Sequence, residues 1–216
     1  MSALVQYDDR NINVFRPLIL KNQEYCKTHN IQYIFIEKGY EDYPPWWRKV
    51  FIIRDLLSSY DSILWVDSDA CIVGKTHFKN LFNEKHFVMS PNPPPLKINI
   101  LSFLSASFCA GVWAVKNSLQ GISIINSWCK CYDLTLWKKE NNLWISTGEY
   151  GGHAYEQGSF QIQILKKYKK FIEQKQYWIL NHLPQYPEFY NKTDTFAVHF
   201  WKNNSNFIQE WIKNTE

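Results

Sequence analysis

Ser62-Ile63-Leu64-Trp65-Val66-Asp67-Ser68-Asp69-Ala70-Cys71-Ile72-Val73 decides how this chain is read. A short apolar run meets two acids, and a second apolar run follows at once. A solvated turn is not flanked by apolar residues on both sides, so the acids are expected in a cleft, where they need a countercharge. Side chains alternate along an extended segment. Carboxylates at i and i+2 therefore point the same way, and one hard divalent cation can draw on both. Surface turns are also rich in Asp, and a pair of acids capping a buried strand is the plain alternative.

Upstream, Ala3 to Tyr7 reads as a strand that ends at the polar Asp8-Asp9-Arg10-Asn11. A helix from Asn13 to His29 and a strand from Ile31 to Ile36 follow, and Trp46, Val50, Ile53 and Leu57 recur at helical spacing before the strand at 62–66. Strand, helix, strand, helix, strand is a parallel α/β signature, and in such sheets ligands sit beyond the carboxyl ends of the strands. Downstream, the pattern predicts a strand at Gly111–Val115, a helix from Ser118 to about Tyr132, and a helix from Tyr155 to Tyr168 with Phe160, Ile164 and Tyr168 as its apolar stripe. Short strands near Trp178 and Val198 and a final helix carrying Phe207 and Trp211 complete the expectation. Ser90-Pro91-Asn92-Pro93-Pro94-Pro95 reads as a loop over one face, and Asn141, Asn142, Gly148, Gly151 and Gly152 suggest mobile loops.

The chain has 216 residues and is 45% hydrophobic, enough for one domain with a sizeable core, which excludes general disorder. Ten Trp, 13 Tyr and 14 Phe call for a place to put many flat rings, and cores and sugar-binding surfaces both use them. The net charge of +4 is spread out; the densest basic run, Lys166 to Lys170, reads as a solvated helix end. Nucleic-acid binding is argued against, whereas a phosphate-bearing small ligand is compatible. Five irregularly spaced cysteines fit free thiols in a reducing compartment. No stretch reaches the roughly 18 apolar residues of a membrane span.

Trp47-Arg48-Lys49-Val50-Phe51-Ile52-Ile53-Arg54 together with Leu64-Trp65-Val66-Asp67-Ser68-Asp69-Ala70 resembles nucleotide-sugar glycosyltransferases of the GT-A fold, and most of all the retaining galactosyl-, mannosyl- and xylosyltransferase family of fungi and plants. Phe108-Cys109-Ala110-Gly111-Val112-Trp113 is similar to that family's segment after the metal motif, with Cys109 where Asn is usual. Tyr155-Glu156-Gln157-Gly158-Ser159 resembles its acidic-Gln pair, and Val198-His199-Phe200 its C-terminal His. The resemblance implies one α/β GT-A (Rossmann-like) domain over 1–216, with a mixed, mostly parallel sheet flanked by helices. A nucleotide-binding half would span about 1–75 and an acceptor and sugar half about 76–216.

It implies a nucleoside-diphosphate sugar donor, usually a uridine one, a glycan or glycoprotein acceptor, and Mn²⁺ (or Mg²⁺) held by Asp67, Asp69 and His199. Small stand-alone relatives in large DNA viruses glycosylate capsid protein in the cytoplasm and are similar in size. A cytoplasmic, soluble protein is therefore expected, with a Golgi lumenal domain lacking its anchor as the alternative.

Individual residues carry two readings each. Lys49 lies at the border of its helix's apolar stripe, about 40° from Ile53 at 100° per residue, whereas Arg48 points away. It is either a snorkelling lysine or, by the resemblance, a contact to the donor phosphate or sugar. Gln157 shares a face with Phe160, Ile164 and Tyr168 and needs a partner. It either caps its own helix or, by the resemblance, lies with Glu156 under the sugar ring near the anomeric carbon. His199 between apolar residues is a satisfied core imidazole or a metal ligand. Lys202 reaches the diphosphate or is a surface lysine. Gln6, Tyr7 and Asp8 end the first strand and are candidates for base and ribose, with core rim as the alternative for Tyr7. Ser68 and Gly111 join the nucleotide-sugar set through the motifs that contain them.

The expected activity is metal-dependent transfer of a sugar to a hydroxyl acceptor with retention, by front-face attack or through a covalent adduct on Glu156. A haloacid-dehalogenase-type phosphatase with Asp67 as nucleophile and a non-catalytic carbohydrate-binding domain are the rival readings.

Overall fold

The computed structural model describes residues 1–10, 12–92, 108–201 and 205–215; Lys202 and residues 93–95 of the Pro-rich stretch lie outside them. β1 (Ser2–Tyr7), α1 (Arg16–Thr28), β2 (Gln32–Ile36), α2 (Pro45–Leu56) and β3 (Ser62–Val66) follow the expected alternation. β1 pairs in parallel with β2 on one side and β3 on the other. The chain therefore reverses its direction of travel across the sheet at β1, and the crevice that a doubly wound sheet opens at such a switch lies beyond Tyr7 and Val66.

A short β4 (Ala70–Ile72), β5 (Phe87–Met89), β6 (Val112–Lys116), α3 (Leu119–Cys129) and the hairpin β7 (Trp137–Glu140) and β8 (Leu143–Ser146) come next. The last third holds α4 (Glu156–Ser159), a π-helical segment Phe160–Leu165, α5 (Lys166–Tyr168), β9 (Ile172–Gln174), α6 (Tyr177–Leu180), β10 (Ala197–His199) and α7 (Ser205–Thr215). The main sheet has six strands in the order β2-β1-β3-β6-β5-β9, with β6 antiparallel to both of its neighbours. β4 pairs with β10, and β7 with β8.

Two expectations change. Trp178 lies in α6 rather than a strand; a four-residue apolar run is too short for periodicity to separate the two. Residues 137–146 form a hairpin where loops were expected. Its turn is made by Asn141 and Asn142, both at positive φ (49° and 64°), the type I′ geometry that matches the twist of paired strands.

Strand alternation divides the core. Ala3, Val5, Ile63, Trp65, Phe87, Trp113 and Val115 face the layer built from α2, α3 and the helical stretch after residue 156. Leu4, Leu64, Val66, Val88, Val112 and Ala114 face the opposite layer, with Tyr25 and Cys26 of α1 and Phe78. Much of the aromatic content is spent on the first layer, where Phe160 stacks on Phe108 (4.2 Å between centroids) and on Phe87 (5.1 Å) and meets Trp128 edge-on. The five cysteines are unpaired. Among the described residues no helix is long and apolar enough to cross a membrane.

Candidate active site

The acids stand where β3 ends. Asp67 N–H donates to the Gly111 carbonyl at 2.8 Å, and Ala70 N–H returns to the Asp67 carbonyl at 2.9 Å, so the triplet is a tight turn between β3 and β4. β10 pairs antiparallel with β4, setting His199 against Ala70, and Phe200 N–H donates to the Asp69 carbonyl at 2.8 Å. A residue 130 positions away is thereby laid across the acids, with His199 Nε2 3.1 Å from Asp69 Oδ1. Asp67, Asp69 and His199 bring one ligand atom each to within 4.8 Å of one another. Both acids keep access to solvent, their side chains being 26% and 27% exposed, so the pair is not sealed in the interior.

The donor set fits a divalent cation. Two carboxylates and an imidazole suit Mn²⁺ or Mg²⁺ and leave room for phosphate oxygens and water. The outer groups fit as well. Trp201 Nε1–H lies 2.9 Å from His199 Nδ1, a contact made by the tautomer whose Nε2–H donates a hydrogen bond to Asp69. Asn181 Oδ1, 3.3 Å from the same Nδ1, can accept from the other tautomer, the one whose Nε2 lone pair faces a metal. The Asn181 amide is oriented for this by donating to Ser90 Oγ (2.9 Å) and the Val112 carbonyl (3.2 Å). Burial pulls the imidazole's pKa down, but the adjacent Asp69 carboxylate outweighs it and holds it up. Burial works against the Asp69 carboxylate too, and the His199 ring lowers it below its ordinary value. Gly111 has to be glycine: a Cβ there would fall 2.1 Å from His199 Cε1. Cys109, in place of the resemblance's Asn, puts its Sγ 3.9 Å from His199 Nδ1.

Lys49 is buried, and its ammonium reaches Asp67 Oδ1 (2.8 Å), Asp67 Oδ2 (3.0 Å) and the Ala110 carbonyl (3.1 Å), with Glu156 Oε1 3.8 Å away. Burial disfavours its charge, yet Asp67 and then Glu156 favour it more, and its pKa ends above the ordinary lysine value. Trp65 Nε1–H donates to the same carboxylate at 2.7 Å. Glu156 is 3% exposed and its Oε2 has no hydrogen-bond partner among the described residues. Burial, against the pull of Lys49, pushes the carboxyl up to about 7. Three indoles fix its position: Trp128 donates to the Glu156 carbonyl at 2.8 Å, and Trp47 and Trp137 donate to the Ala154 carbonyl at 2.8 and 3.2 Å. Gln157 does not cap its own helix; its Oε1 accepts from Ala110 N–H at 3.2 Å, tying α4 to the segment before Gly111.

Asp8 sits at the end of β1 and is nearly covered by Arg10, which donates to both carboxylate oxygens (2.9 and 2.8 Å), and by Ser68 Oγ. Burial would raise this carboxyl, but the hydrogen bonds from Arg10 and Ser68 hold it low. Tyr7 lies on the same rim, its phenol pushed up to about 12 by burial; Arg48 donates to its hydroxyl at 3.1 Å and to Asp9. Arg48 is thus buried at the cleft edge rather than pointing away.

Gln6 departs from expectation. It lies on the strand face shared with Leu4, is fully buried, and spends its amide on the Asp67 carbonyl (3.1 Å), Tyr33 Oη (2.8 Å) and Asn22 (3.2 Å). It braces the acid turn from beneath and presents nothing to a base. Arg10, Asn181 and Trp201 join the site unforeseen.

Residues 3–91 match the model of the galactosyl transferase GMA12/MNN10 family. No curated protein matches the sequence. Among solved structures, the chain is similar to a glycosyltransferase involved in the glycosylation of the major capsid of PBCV-1 (15% identity, 99% of this chain and 98% of that one, TM-score 0.68). It is also similar to the glycosyltransferase GlyE of Streptococcus pneumoniae TIGR4 (16%, 99% and 59%, TM-score 0.56). The third is the galactosyltransferase LgtC, solved with donor and acceptor sugar analogs (14%, 99% and 96%, TM-score 0.51). At these identities the likeness is one of fold.

Proposed function

We propose that this chain, which has the GT-A fold and matches the galactosyl transferase GMA12/MNN10 family over residues 3–91, is a glycosyltransferase that moves a sugar from a uridine diphosphate donor to a sugar hydroxyl, with Mn²⁺ (or Mg²⁺) held by Asp67, Asp69 and His199. The observation that carries this reading is the convergence of those three ligand atoms within 4.8 Å at the switch point of the sheet, next to a buried carboxyl. When bound, the cation neutralises charge that develops on the leaving diphosphate. Lys49 fixes Asp67 in its ligating pose and keeps a positive charge between it and Glu156. Tyr7 lies on the rim assigned to base and ribose, and Asp8 and Ser68, buried and bonded to each other, back that rim from within. Lys202 follows β10 in sequence and is assigned to the diphosphate.

Glu156 and Gln157 serve the anomeric carbon. The unpartnered Oε2 of Glu156 is the oxygen available to a cationic sugar. Either it attacks the anomeric carbon as the bond to the diphosphate breaks, giving a glycosyl ester that the acceptor hydroxyl then displaces, or it stabilises electrostatically a front-face attack by that hydroxyl, the departing diphosphate taking the hydroxyl proton in each case. The test is the melting temperature with UDP, with GDP and with each plus Mn²⁺. A ligand that binds only the native state raises it by mass action. A rise with UDP that needs Mn²⁺ and vanishes in Asp69→Ala is expected; a rise indifferent to metal sinks the proposal.

A further inference from the structure

Tyr150 is 78% exposed, yet it is not a loose surface ring. Its ring meets Tyr155 at 5.1 Å and Trp46 at 6.3 Å, both edge-on, and Tyr155 in turn meets Trp46 at 5.1 Å and the buried Trp137 at 5.0 Å. The loop that carries it is fastened to α4. Gly152 N–H donates to the Glu149 carbonyl and Tyr155 N–H to the Gly152 carbonyl, each at 3.0 Å. The fit is close enough that a Cβ on Gly158 would lie 2.1 Å from the Gly152 carbonyl oxygen and 2.3 Å from that of Gly151. Tyr150 is therefore locked to the same turn that presents Glu156, whose neighbour in sequence, Tyr155, is the ring behind it. Burial raises the Tyr150 phenol and the nearby Glu156 adds to that, while the hydrogen bond with Trp46 works the other way; most of the ring stays open to solvent.

A rigid, exposed aromatic face beside a buried reactive carboxyl suits a ligand with a flat apolar side of its own. The C–H face of a pyranose has that character, with hydroxyls at its edge to reach inward. We infer that Tyr150, backed by Trp46 and Tyr155, is the platform on which the acceptor's hexopyranose ring lies. This assigns a sugar acceptor subsite and rests on the glycosyltransfer reading above. Because the ring needs no ordering on binding, it offers area at low entropic cost.

The experiment has two arms. In the first, saturation-transfer NMR is run with methyl β-galactopyranoside, methyl α-glucopyranoside and methyl α-mannopyranoside on wild type, Tyr150→Ala and Tyr150→Phe. At least one sugar should receive saturation on the protons of one ring face, lose it in Tyr150→Ala and keep it in Tyr150→Phe. In the second, transfer to the responding sugar should show KM raised about tenfold in Tyr150→Ala with kcat altered less than about threefold, a loss typical of one aromatic stacking contact. Saturation of none of the sugars by wild type, or its survival in Tyr150→Ala, overturns the platform. So does a weaker Mn²⁺-UDP melting shift in Tyr150→Ala, which would make the ring a base contact. A wild type that shows no UDP shift at all sinks the donor reading alone, since the sugar arm is decided without nucleotide.

Discussion

Glu156 is the residue whose environment has the largest consequence for pH. Its folded-state carboxyl sits at about 7 against an ordinary 4.5, because burial outweighs the help of Lys49. The folded chain therefore holds the proton more tightly than the unfolded chain does. Stability contributed by this group is complete below about 4.5, falls as pH rises towards 7, and is lost above it. Glu156→Gln should accordingly stabilise the protein at pH 8 by roughly 3 kcal/mol and leave it unchanged at pH 4.5, while turnover collapses; urea denaturation at the two pH values reads this. An equal effect at both pH values would refute the burial argument. The outer shell of His199 gives a second expectation: Asn181→Ala should weaken Mn²⁺ affinity about 10- to 100-fold, by calorimetry. At this scale Asp67, Asp69 and Gln157 stood out because each breaks a local pattern, an acid after an apolar strand or an amide on an apolar stripe, whereas Lys49, Glu156 and His199 were proposed for the site through the family resemblance. Arg10, Asn181 and Trp201 break none, and their partners are reached only through folding. Gln6 misled because its position along β1 was readable while the face it takes was not.

At the scale of elements, the narrow β4–β10 ribbon does the assembling. Its register puts His199 across from Ala70, and the space for the imidazole exists because residue 111 has no side chain. Gly111→Ala should cost about 1–3 kcal/mol through overpacking and abolish Mn²⁺ binding even in the protein that remains folded, seen as a lower melting temperature that added metal no longer raises. Unimpaired metal binding in that variant would mean the imidazole is not where the acids need it. The first five elements were legible from hydrophobic period alone, since β1, β3, α1 and α2 each run for several residues. The three-residue strands β4, β5 and β9 were not, because so few positions carry no period and pairing with distant partners defines them. The β7–β8 hairpin was signalled by Asn141-Asn142, which supply the two positive φ values, but adjacent glycines drew the reading toward loops.

For the whole molecule, the unusual aromatic content has a structural account. Trp47, Trp128 and Trp137 are core residues that also spend their indole N–H groups on the carbonyls of Ala154 and Glu156, so packing of the core and placement of the reactive carboxyl are one network. Trp128→Ala should destabilise by about 3–5 kcal/mol, whereas Trp128→Phe, which keeps most of the volume and loses the hydrogen bond, should lower turnover out of proportion to its smaller stability loss. Parallel losses of stability and activity in the two variants would separate core from site. The α/β architecture followed from the order of elements; the fact that one sheet edge, one ribbon and one helix start meet at a single crevice did not.

The claim on which the account rests is that Asp67, Asp69 and His199 grip a cation that carries a nucleotide's diphosphate. Anomalous scattering at the manganese edge, from crystals grown with Mn²⁺ and UDP, tests it directly. A manganese peak within bonding distance of all three side chains, bridged to the diphosphate, is the predicted result; UDP bound with no manganese at that place would contradict it.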